Sequence, residues 1–212
     1  MMKNNSGLVK AFGLFLFLIV IGIVITVKVS QKTAPPAKAS DTPIEIVPSA
    51  PPAPPQPTTT VSDVHSSKAD KKLILRATTN QNGTILYECL ISDIAGGSER
   101  PLFSKTLGSG SRMTLPVNAW DPTDTYVFVE ENDQGVPNYF VYRADGEPFA
   151  GGDKYIDVGS VWNGKKVGYT IREATGWASG TLLIVYTSKD DRSKGPAFWF
   201  EIPSTAIIQL AG

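Results

Sequence analysis

Residues 11–27, AFGLFLFLIVIGIVITV, carry no charge. With Leu8, Val9 and Val29 added, and Lys10 and Lys28 long enough to snorkel, the run has the length of a helix crossing a bilayer core of about 30 Å. The expectation is a single transmembrane signal anchor at 11–29, a short cytoplasmic stub at 1–10 and an extracytoplasmic remainder, placing the chain in the bacterial cytoplasmic membrane. A cleaved signal peptide is the second reading. Its A-x-A-like site, Ala37-Lys38-Ala39, lies about ten residues past the run and behind Pro35 and Pro36. Lysines flank both ends of the run, so the positive-inside rule is nearly balanced, and the orientation is taken from the short stub, which has no acidic group.

Nine of the sixteen prolines fall between Gln31 and Asp70. Proline fixes φ and removes a backbone donor, so this strip reads as an extended, partly polyproline II linker over 30–70. At about 3.1 Å per residue it could hold a domain as much as ~100 Å from the membrane. A docking site for proline-binding modules is the lesser reading, because no such module is expected outside the cell.

The remaining residues, 71–212, suffice for one domain with its own core. They carry fourteen Lys plus Arg against sixteen Asp plus Glu, a net charge of −2, with no cluster of either sign. That balance argues against nucleic acid, which asks for a basic face. Strand-like runs at 73–79, 84–91, 125–131, 138–143, 166–172, 181–187, 197–202 and 205–210 are separated by turn signals such as NQNG (80–83), Asp133-Gln134-Gly135, Asp145-Gly146 and Asn163-Gly164. No segment shows a long 3.6-residue period. The domain is therefore expected to be all-β.

Internal repetition is the most informative signal. AWDPTDTYVFVEE (119–131) aligns with GWASGTLLIVYT (176–187): a small residue, a Trp, a turn and a strand. Each is followed by a polar loop, a Pro and an aromatic strand, VPNYFVY (136–142) and GPAFWFE (195–201). A less complete copy lies upstream, giving repeats near 73–105, 112–149 and 166–210. These residues carry a resemblance. AWDPTDTYVFV resembles the W-S-P-D-G-x-x-I-A-F phrase of TolB-type β-propeller repeats, YFVYRADG (139–146) is similar to the following strand and Asp-Gly turn, and ISDIAGGSERPL (91–102) to the stretch closing a blade.

The resemblance covers about 73–210 and implies repeated antiparallel blade-like sheets and a binding role rather than chemistry, with loops and channel mouths offered to protein partners. It carries no site residues over. Three copies do not close an ordinary ring of about four to eight blades. The alternatives are a partial propeller, a homo-oligomer that completes one, or a β-sandwich of immunoglobulin type.

Cys89, the only cysteine, lies in the alternating run ILYECLI and reads as a buried apolar side chain; His65, the only histidine, falls in the linker. Without a histidine in the domain, Ser-His-Asp and Cys-His arrangements cannot be built. Paired carboxylates among Asp121, Asp124, Glu130, Glu131, Asp133, Asp153 and Asp157 would suit a glycan hydrolase, though turn and edge charges account for them too. Asp121-x-x-Asp124 and Asp190-Asp191 lack calcium-loop spacing, so no metal, cofactor or catalytic residue is assigned.

Trp120 and Trp177 occupy matching positions and are expected to pack between sheets. Trp162, beside Asn163-Gly164, and Trp199, alternating with Phe198 and Phe200, are expected to be exposed and to bind a partner. The resulting expectation is a non-catalytic interaction or scaffolding module that binds an envelope protein. The runners-up are an adhesion or cell-wall-binding sandwich and a carboxylate hydrolase.

Overall fold

Alternating side chains on consecutive strands build the same unit three times. The computed structural model describes residues 56–211, all within the compact unit Ala53–Gly212. The expected anchor at 11–29 and much of the proline-rich strip lie outside the described residues. No helix among the described residues is long and apolar enough to cross a membrane.

The first sheet comprises β1 (Thr58–His65), β2 (Lys71–Thr79), β3 (Ile85–Asp93) and β4 (Arg100–Leu107). The second comprises β5 (Ser111–Thr114), β6 (Tyr126–Asp133), β7 (Val136–Arg143) and β8 (Tyr155–Asp157), and the helix α1 (Val158–Gly164) follows it. The third comprises β9 (Thr170–Trp177), β10 (Leu182–Ser188), β11 (Lys194–Glu201) and β12 (Ile207–Gln209). Within each sheet, every strand pairs antiparallel with its neighbours in sequence. That is the blade-like alternative; an immunoglobulin-type sandwich needs two sheets and Greek-key crossovers.

The hairpins follow from local chemistry. Asp133 pairs with Val136 across Gln134 and Gly135, whose φ values of 50° and 92° suit the two-residue turns that match strand twist. At 80–83, Asn80 N–H donates to the Thr84 carbonyl at 2.8 Å, and Gly83 takes φ 80°.

Two apolar cores result, and the second sheet belongs to both. Val127, Val129, Phe140 and Tyr142 pack with Leu73, Leu75, Tyr87, Cys89 and Ile91 of the first sheet. Phe128, Tyr139 and Val141, from the same two strands, pack with Leu183, Val185, Phe198 and Phe200 of the third. Successive residues of a strand point to opposite faces, so the unbroken run Val127-Phe128-Val129 is what a strand covered on both sides requires.

The tryptophans at matching positions join successive sheets, as expected. Trp120 donates its indole N–H to the Val64 carbonyl of β1 at 3.0 Å, and Trp177 donates to the Ala119 carbonyl at 3.2 Å. In each case the acceptor precedes the equivalent position of the preceding repeat. His65 takes that position in the first copy: His65 opposes Lys72 as Trp120 opposes Val127 and Trp177 opposes Leu183. The turns agree as well. Ser66 N–H donates to Lys71 and Asp121 N–H to Tyr126, at 2.8 and 3.1 Å, and Ala69 and Asp124 share positive φ values of 55° and 58°.

Two boundaries differ from expectation. The first repeat begins at β1 rather than near residue 73, inside the stretch read as linker, and so includes His65. Its strand TTTVSDVH is almost wholly exposed and shows no apolar alternation, with Val64 alone packing on the core. The third-repeat strand expected at 166–172 lies at Thr170–Trp177, because α1 and the turn at Lys166, with φ 50°, take the residues before it.

Cys89 is fully buried in the first core, and burial pushes its thiol up to about 12. The folded protein keeps this thiol neutral, whereas the unfolded chain ionises it near its ordinary 9.0. The stability it protects is therefore complete below pH 9 and falls as pH rises towards 12, by on the order of 1 kcal/mol per pH unit. Urea unfolding at pH 8, 9 and 10 should show this decline, and Cys89→Ala should flatten it over that range; above pH 10 the Tyr139 and Tyr142 hydroxyls, also pushed up by burial, add a loss of the same sign.

Candidate functional site

Alternation in β11 sends Phe198 and Phe200 into the second core and Trp199 to the opposite side. The register then sets Ile184 of β10 and Ile208 of β12 on either side of Trp199, and Gly176 of β9 beyond Ile184. The result is one row across three strands, Ile184–Trp199–Ile208, on the face of the third sheet turned away from the second; Gly176 beyond it is buried, with the Asn118 side chain against the position a Cβ would take. Leu182 and Tyr186 flank it along β10. Ile184, Tyr186 and Trp199 are half-buried, and Ile208 is 43 % exposed. None of them belongs to either core. The Arg172 guanidinium lies 5.8 Å from the Tyr186 ring centroid and pairs with Glu173.

The corresponding outer face of the first sheet is finished differently. Ile74 and Leu90, cross-strand partners pointing away from the first core, are buried to 3 % and 9 % exposure. Arg76 donates to both carboxylate oxygens of Glu99 at 2.6 Å, a bond that spans β3. Lys72 and Glu88 occupy the same face. The segment before β4 is thus tied over the sheet by a charge-assisted pair in which one Arg76 nitrogen is shared between both carboxylate oxygens. The third sheet has no such cover among the described residues.

Trp162 is not an exposed residue. It is 2 % exposed in α1, on the same side as Val158 four residues earlier, and its ring meets Phe198 edge-on at 5.0 Å. Its N–H donates to the Tyr169 carbonyl at 2.7 Å. The turn signal Asn163-Gly164 ends a seven-residue helix rather than presenting the indole. The start of that helix is set by Asp157, whose side chain accepts from Ser160 N–H at 2.8 Å. Of the two tryptophans singled out from sequence, only Trp199 lies outside both cores, and it is half-buried rather than exposed. Its row partners Ile184 and Ile208 were missed, because the pairing register that brings them together is not written in any one strand.

Five of the seven candidate carboxylates are occupied in holding the fold. Asp121 is fully buried and accepts from the N–H groups of Thr123, Thr125 and Tyr126 at 2.6–2.7 Å. Asp124 accepts from the Ser67 and Lys68 N–H groups at 2.8 and 3.3 Å, clasping the first sheet to the second. Glu131 pairs with Lys105, Asp133 accepts from the Ser111 hydroxyl at 2.6 Å, and Asp157 caps α1. No three metal-ligating side chains stand together among the described residues.

A cavity of about 250 Å³ lies at the seam of the first two sheets, lined by Phe103, Lys105, Phe140, Tyr142 and Tyr155. The Lys105 ammonium lies 4.9 Å from the Phe140 ring centroid and is already paired with Glu131.

Replacing Trp162 with Ala should cost about 3–5 kcal/mol, as expected for a buried aromatic, whereas Trp199→Ala should cost less than about 1.5 kcal/mol. Denaturant unfolding of both variants checks the contrast; equal losses would place Trp199 in the core. The chain matches no protein-family model and no curated protein.

Proposed function

We propose that this chain is a non-catalytic interaction module that binds a protein partner through the open face of the third sheet. The observation carrying this reading is the row Ile184–Trp199–Ile208, a contiguous aromatic and aliphatic surface on strands whose other side is locked into a core. Exposed apolar patches on rigid scaffolds mark protein contacts, and aromatic anchors supply most of their binding energy. The charge-free run and proline-rich strip at the N-terminus support display of the module outside a cytoplasmic membrane on an extended stalk. The blade-like meanders and the W-turn-strand phrase support a TolB-like ancestry for the repeat. The engagement of Asp121, Asp124, Glu131, Asp133 and Asp157 in structural bonds favours binding over a carboxylate hydrolase.

The test uses one introduced thiol. Ile208→Cys carries a maleimide photo-cross-linker selectively, since Cys89 is buried and its thiol protonated. Irradiation of the full chain in its native membrane should give one dominant adduct, and adding Trp199→Glu should abolish it. Failure to form any adduct would overturn the assignment of this face.

A further inference from the structure

We propose that the cavity at the seam of the first two sheets binds a single neutral sugar ring, whose hydroxyls bond to Tyr142 and Lys105 and whose C–H face lies against the surrounding aromatic rings. This site is separate from the third-sheet face and does not rest on it. Its walls come from three strands near the sheet edges: Phe103 and Lys105 from β4, Phe140 and Tyr142 from β7, and Tyr155 from β8. Phe103 stacks on Tyr142 with ring centroids 4.8 Å apart. Tyr155 lies 5.5 Å from Phe140 and 5.7 Å from Tyr142.

One polar atom in this lining is not explained by the fold. Tyr142 is only 5 % exposed, yet its hydroxyl makes no hydrogen bond with the described residues. No sealed side-chain nitrogen or oxygen among the described residues lacks a partner, so this hydroxyl is reached by solvent, and the opening that Tyr142 lines is the cavity. Burial pushes the hydroxyl well above its ordinary range, which keeps it protonated and able both to donate and to accept.

The neighbouring charges select the ligand. The Lys105 ammonium sits 4.9 Å from the Phe140 ring centroid and is paired with Glu131, so the place over that ring where a cationic ligand would bind is taken. An anion would have to compete with Glu131 for the ammonium. A purely apolar ring would strip water from the Tyr142 hydroxyl and from the remaining ammonium protons and give them no acceptor. A sugar ring meets each demand. Its rim of hydroxyls serves the polar atoms, and its C–H bonds suit the negative faces of aromatic rings. Size agrees: the cavity holds about 250 Å³, and about 150 Å³ is enough for a benzene, so one substituted six-membered ring fits and two do not.

Saturation-transfer NMR on the full chain in lipid nanodiscs, with empty nanodiscs as the blank, tests the proposal. The probes are the methyl β-glycosides of glucose, galactose and N-acetylglucosamine, set against p-cresol, tetramethylammonium and inorganic phosphate. At least one glycoside should bind with a dissociation constant of about 1–10 mM, with saturation strongest on its ring C–H protons. Tyr142→Phe should weaken it about tenfold and leave the melting temperature within about 2 °C of the parent's, since the lost hydroxyl holds nothing in the fold. Tyr155→Ala should weaken it at least about tenfold; this ring is 46 % exposed, so its loss spares the core. Ile208→Glu, on the third-sheet face, should leave the affinity unchanged.

The proposal is overturned if none of the glycosides binds at about 10 mM, or if binding survives Tyr142→Phe and Tyr155→Ala undiminished. It is equally overturned if p-cresol, tetramethylammonium or phosphate binds there in preference to every glycoside. Loss of glycoside binding in Ile208→Glu would move the sugar to the third sheet and overturn it as well.

Discussion

Burying both sides of one four-stranded sheet is the constraint on which the other two sheets depend. A small meander with a single apolar side is marginal in water. Here the first and third sheets gain that side's cover only from β6 and β7, whose consecutive residues serve opposite cores. Val127 and Phe128 are neighbours in the chain and belong to different hydrophobic clusters. Loss of either strand would expose both cores at once, so the three sheets are expected to unfold as one cooperative unit despite their repetitive layout.

Directional bonds set the order of the stack where apolar packing alone would leave it loose. The indole bonds of Trp120 and Trp177 fix how far each sheet is rotated on the one before. Asp124 adds a second tie by accepting backbone N–H groups from the turn of the preceding repeat. These acceptors are buried or half-buried and satisfied; removing a partner would leave an unpaired polar group, which costs more than the bond itself returns. Polar groups thus specify an arrangement that the valines, leucines and phenylalanines stabilise.

Much of this was legible in the sequence, and what was not has identifiable physical causes. Strands β2, β3, β6, β7, β10 and β11 announce themselves because both apolar content and turn chemistry agree. The face taken by Trp199 follows from alternation alone. Strand β1 escaped because an exposed edge strand needs no apolar pattern: TTTVSDVH pairs along its whole length with β2 yet contributes little to the core. The Trp162 helix escaped because seven residues are too few for a 3.6-residue period to register, and because Asn163-Gly164 signals a turn whether it follows a loop or ends a helix. The row Ile184–Trp199–Ile208 spans three separate strands, so it exists only once their register is known.

The equivalence of His65, Trp120 and Trp177 has a consequence for how such a chain can change. Each repeat, 55 residues from His65 to Trp120 and 57 from Trp120 to Trp177, carries its own turn, its own strands and the joint to its predecessor, while the charged strap is confined to the first sheet and the open apolar face to the last. A duplicated middle repeat would meet, on either side, surfaces of the kind its parent already meets. Length is therefore free to vary by whole repeats while the two ends keep their character, and a gene encoding this architecture can lengthen its product without inventing a new contact.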